Sequence, residues 1–150
     1  GADVYASSEV YFALGSLCAG FFIRKLTRTI KPVTSIVVLM IMGGLVFILA
    51  ALFKSVVIFY LISAIIGFSN AGSRVTRVTY LFDHIPNNII GRANSIFYVY
   101  NIAMRGLMLM VFSMAFFDTG NNIIWAYAIC GAFILISTIP LVMKRKSLQS

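Results

Sequence analysis

Along the chain, nearly uncharged apolar runs of about twenty residues alternate with short polar or basic interruptions, and five such runs follow one another. A helix of about twenty residues, rising about 1.5 Å per residue, crosses about 30 Å of hydrocarbon. The pattern therefore predicts five transmembrane helices, at roughly residues 4–23, 32–53, 56–82, 95–117 and 122–143. Spanning β-strands would alternate apolar and polar residues over about ten positions, and these runs are apolar throughout. The expected fold class is an all-α membrane protein, with residues 1–150 forming a single transmembrane helical domain.

The interruptions have their own grammar. "RKLTRTIK", from Arg24 to Lys31, reads as a strongly basic loop. Pro32 then opens the second helix, because its missing N–H is unbonded at a helix start anyway. Lys54 and Ser55 make a tight connection. "DHIPNNIIGRAN" breaks the third helix from the fourth, since Pro86 and the Asn87–Asn88 pair are turn formers. "DTGNN" is the next turn, and "KRK" with a short polar tail closes the chain.

Polar residues inside the runs divide the helices. The second and fifth carry almost no strong polar group in their centres and are expected to be outer helices against lipid. The first, third and fourth carry polar residues at helical spacing, and such faces must point at protein or water. In the fourth, Asn94, Tyr98, Asn101 and Arg105 recur at steps of four, three and four, which places them on one side of a helix. Counted from the cytoplasmic end of the expected span, Arg105 lies about 15 Å deep, close to the midplane.

A guanidinium at that depth costs several kcal/mol. Arg105 is read either as a cavity residue facing a carboxylate, water or an anionic ligand, or as half of a charge pair holding helices together. Glu9, the sole carboxylate within the first span, is the candidate partner or, separately, a proton-carrying coupling group; a solvated rim position is the alternative. In the third span Asn70, Ser73, Arg74 and Arg77 form a similar stripe nearer the cytoplasmic end. Arg74 and Arg77 are close enough to the interface to snorkel. Gly15, Ala19 and Gly20, and Gly67, Ala71 and Gly72, are small residues of the kind that let helices approach, and Met42 to Gly44 is a candidate flex point.

Composition agrees with the pattern: 61% apolar residues, 11% charged residues and a mean hydropathy of +0.98 lie far from the averages of soluble domains, about 45–50% and 25%. A net charge of +8 raises nucleic acid as a partner. Placement excludes that reading. Arg24, Lys25, Arg28, Lys31, Arg92, Lys144, Arg145 and Lys146 follow the odd-numbered spans, against Lys54 alone on the alternate side. By the positive-inside bias the first set is cytoplasmic, the N-terminus is outside and the C-terminus is cytoplasmic. Lipid is the partner this implies, in a plasma (inner) membrane.

Chemistry of other kinds finds little support. Cys18 and Cys130 lie in apolar segments without pair or metal-ligand spacing. No phosphate loop, HExxH pair or GxSxG elbow occurs, and His84 reads as a solvated loop residue beside Pro86. No nucleophile with a base at workable spacing emerges, so no enzyme, metal site or cofactor is expected. The chain opens at Gly1 with neither initiator Met nor a basic n-region, which reads as no signal peptide and a piece of something longer.

Certain motifs carry a resemblance. "IPNNIIGRANSIF", with Pro86, Gly91, Arg92 and Ser95, resembles the "P…GR…S" connection between the tenth and eleventh helices of major facilitator superfamily transporters. "GFFIRKLTR", from Gly20, is similar to the family's loop signature Gly-x-x-x-Asp-basic-x-Gly-basic. It departs at Arg24, where the acid belongs, and at Thr27, where the second glycine belongs, which leaves no acid for a latch there. "ADVYASSEVYFALGSLCAGFF" resembles the eighth helix of multidrug and siderophore exporters.

The resemblance implies helices eight to twelve of the C-terminal six-helix bundle, with the N-terminal half of the same transporter as partner. It implies a proton-coupled exporter of small organic molecules working by alternating access. Arg105, Asn101 and Tyr98 would line the substrate cavity, and Asn70 and Arg74 its cytoplasmic vestibule. The competing class is a non-transporting membrane subunit whose stripes bind partner helices. A channel is a further rival, and no ring of charge supports it.

Overall fold

The computed structural model describes residues 2–53, 55–114 and 122–144. It is all-α, with no strand among the described residues: α1 (Ala2–Thr29), α2 (Pro32–Leu52), α3 (Val56–His84), α4 (Asn87–Phe112) and α5 (Ile123–Met143). All five are long and apolar enough to cross a membrane, as expected of a multi-pass integral membrane protein. Lys54, Arg145, Lys146 and residues 118–121 of the "DTGNN" turn lie outside the described residues.

Helix ends depart from the sequence pattern at the polar interruptions. The expected basic loop is mostly helix: α1 runs on through Arg24, Lys25 and Arg28 to Thr29. Arg, Lys and Leu are strong helix formers, so a charged stretch need not be a loop. The break before α4 is equally short. Only Ile85 and Pro86 separate α3 from α4, and Asn87 through Asn94 are helical. Gly91 and Arg92 of the expected loop thus sit in the first turns of α4. His84 is likewise not a loop residue. It ends α3, with Nδ1 2.9 Å from the Tyr80 carbonyl and its ring stacked on Tyr80 at 4.1 Å.

Packing runs in the order α1, α3, α2, α5. Its first contact is a close approach of backbones. A Cβ placed on Gly15 would collide with the Ala64 carbonyl, and one on Gly67 with the Phe12 carbonyl. Ser16 Oγ crosses the same seam, donating to the Gly67 carbonyl at 3.2 Å, and the Tyr11 and Tyr60 rings stack at 5.0 Å. Residue numbers rise together along this seam, so α1 and α3 run parallel. That is the geometry of helices separated by one intervening crossing.

Ala19, Ile23 and Leu39 form the core where α1, α2 and α3 meet. Between α2 and α3 the Ser69 hydroxyl donates to the Leu39 carbonyl. Between α2 and α5 the glycines Gly44 and Gly131 face each other, and a Cβ on Gly131 would lie 2.9 Å from the Gly44 carbonyl oxygen. Phe47 and Tyr127 extend that contact, with ring centroids 6.4 Å apart.

The expectation that α2 sits against lipid all round is therefore corrected, although Val38, Leu45, Leu49 and Leu52 leave one apolar side exposed. It lies between α3 and α5 and buries Val33, Val37, Leu39 and Val46 along with both glycines. Hydropathy says which helix tolerates lipid, whereas Gly43 and Gly44 let neighbours come close on two sides. α4 is the least covered helix; no residue of its apolar window is buried.

Candidate functional site

Turning about 100° per residue, α3 divides its circumference into three sectors. Gly67 and Ala64 face α1, and Ser69 faces α2. The remaining sector carries Asn70, Ser73 and Arg77, with Arg74 at its edge about 20° from Gly67. Asn70 and Arg74 are exposed there, Ser73 half-buried.

Arg77 closes this sector. Its Cζ lies 5.1 Å from the centroid of the Phe97 ring on α4, within the range of a cation–π contact. Its Nε is shielded from solvent and has no hydrogen-bond partner among the described residues. The sequence suggests a snorkelling side chain; the structure shows a half-buried one spent on a neighbouring helix. Phe97 carried no sequence signal of this role, because one aromatic among several in an apolar run is not distinguished by spacing.

On α4 the half-buried residues Ile90, Ala93, Met104 and Met108 lie on the same side as Phe97. The stripe of Asn94, Tyr98, Asn101 and Arg105 is displaced from that side by about 70°, at 100° per residue. All four of its members are exposed. The polar set of α3 and the stripe of α4 thus flank the Arg77–Phe97 contact.

Arg105 stands seven residues before the last residue of α4, Phe112, about 10 Å along the axis. Glu9 stands seven residues after the first residue of α1, Ala2, the same distance from its end. The parallel course of α1 and α3, and the short link from α3 to α4, put those two ends on one side of the membrane. Arg105 and Glu9 therefore occupy the same layer, each about 8–10 Å from its helix midpoint. They form no ion pair with each other, nor with Asp3 or Asp83, and Glu9 is exposed.

Pro86 is the N-cap of α4, with φ −57° and ψ 141°. Gly91 has nothing within 4 Å of where a Cβ would be, and Arg92 is exposed. Among the described residues no group of three His, Cys, Asp or Glu side chains is placed to hold a metal. Cys18 and Cys130 are free thiols.

No family model, curated protein or solved structure matches the chain.

Proposed function

We propose that this chain is part of a secondary active transporter of the major facilitator type, a proton-coupled exporter of a small organic molecule of drug or siderophore type. The observation that carries the reading is Arg105: a permanent cation in an apolar spanning helix, exposed and paired with no carboxylate among the described residues. An intramembrane cation must face water, an anion or a ligand, because hydrocarbon solvates none of its five donors. A cavity between this bundle and a second one supplies that surrounding, and rocking of the two bundles exposes it to each side in turn. Tyr98 and Asn101 extend the polar wall below Arg105, and Asn70 and Arg74 continue it on α3. Glu9, the sole carboxylate within the expected first span and in the same layer as Arg105, is the coupling group.

Transport of a candidate substrate by the full-length polypeptide carrying this sequence, reconstituted in liposomes, tests the reading. Arg105→Ala is expected to abolish flux while leaving insertion and folding intact. Wild-type flux in that variant removes the proposal. The sparse packing of α4 favours a second reading, a non-transporting subunit whose α4 docks on a partner's helices. That reading predicts no flux in the unmodified protein and no substrate-dependent rise in its melting temperature.

A further inference from the structure

α1 spans 28 residues, about 42 Å at 1.5 Å per residue, against about 30 Å of hydrocarbon. Its last turns therefore leave the hydrocarbon and pass through the headgroup layer. Those turns carry Arg24, Lys25 and Arg28, all exposed, and with Phe21 they form one open basic face of α1. None of the three cations is paired with Asp3, Glu9 or Asp83.

Their direction is set by the packing of α1. Gly15, Ser16, Ala19 and Ile23 face the other helices. Phe21, Arg24, Lys25 and Arg28 lie about 100–200° around the axis from Ile23, at 100° per residue. The cluster is turned away from the bundle, toward what surrounds it. Phe21, 82% exposed, sits one turn nearer the hydrocarbon than Arg24 and on the same arc.

We propose that this basic face binds the phosphate of an anionic phospholipid, with an acyl chain lying along Phe21. Two guanidinium forks and one ammonium offer charge-assisted donors to phosphate oxygens. Basic residues at a membrane surface are drawn to anionic lipid. The aromatic ring selects a lipid over a free phosphate, because only a lipid brings an apolar chain down the helix from the charged group. The proposal is independent of the transport reading.

The test uses the full-length polypeptide carrying this sequence in nanodiscs of phosphatidylcholine with or without phosphatidylglycerol, and native mass spectrometry to count retained lipid. The unmodified protein is expected to retain phosphatidylglycerol preferentially. In R24Q/K25Q/R28Q that preference should fall about tenfold or more, each basic residue near the surface contributing severalfold. Phe21→Ala should weaken retention with the cations intact, and Lys144→Gln should leave it unchanged. Should the triple variant fail to fold, Arg28→Gln alone decides, with a severalfold drop expected and no drop overturning the site. Equal retention by the triple variant and the parent overturns the proposal, as does an equal loss in Lys144→Gln, which would mean general surface charge. Stabilisation by inorganic phosphate in pure phosphatidylcholine, undiminished by Phe21→Ala, would assign the cluster to a soluble anion instead.

Discussion

Arg77 holds its guanidinium 5.1 Å from the centre of the Phe97 ring, and this contact joins α4 to the rest of the bundle. Few other contacts join α4 to α3, so the pair carries an unusual share of the attachment. A partly exposed cation–π contact is worth about 0.5–2 kcal/mol. In a double-mutant cycle of Arg77→Gln and Phe97→Leu, read by thermal unfolding in detergent, a coupling of about 0.5–2 kcal/mol is expected. Additive effects would mean the two side chains do not act together.

The seam between α1 and α3 admits no side chain. Gly67→Ala would drive a Cβ into the Phe12 carbonyl, where backbone must shift, and overpacking of this kind costs about 1–3 kcal/mol or more. Gly20→Ala, on the same seam's outer flank with nothing within 4 Å, is expected to be neutral or to stabilise by up to about 1 kcal/mol through helix propensity. Melting temperatures of the two variants, compared in one detergent, distinguish a sterically required glycine from an incidental one.

Two buried serines predict opposite results. Ser69 donates to the Leu39 carbonyl, and Ser69→Ala should cost about 0.5–1.5 kcal/mol. Ser35 is fully buried, and its Oγ has no hydrogen-bond partner among the described residues. Ser35→Ala removes an unsatisfied group, so it should leave stability unchanged or raise it. The same unfolding assay checks both.

Glu9 gives a prediction tied to function. In Glu9→Gln, transport by the full-length protein should lose its dependence on a pH gradient while substrate exchange at equal pH continues. Dependence that survives places the coupling carboxylate elsewhere and leaves Glu9 a solvated rim residue.

Much of the helix content was legible because a bilayer imposes a length. Apolar runs of about twenty residues have few alternatives to a helix when every backbone polar group must be satisfied internally. Of the small residues, Gly15, Gly67 and Gly72 marked close approach, whereas Gly20 has no neighbour within 4 Å of where a Cβ would be. The ends were less legible. Arg24 to Thr29 and Asn87 to Asn94 are polar yet helical, and a polarity pattern reports where hydrocarbon stops rather than where the helix does.

The sequence by itself determined that five helices form, how each crosses relative to the last, and that α3 and α4 carry polar stripes, because these follow from local hydropathy and 3.6-residue periodicity. Tertiary structure alone decided that α2 lies between α3 and α5, that Arg77 meets Phe97, and that Arg105 and Glu9 share a layer without pairing. Those relations depend on which helices become neighbours. Neighbourhood in a membrane is set by the fit of small residues and backbone between helices, a property of pairs of surfaces that no single stretch of chain encodes.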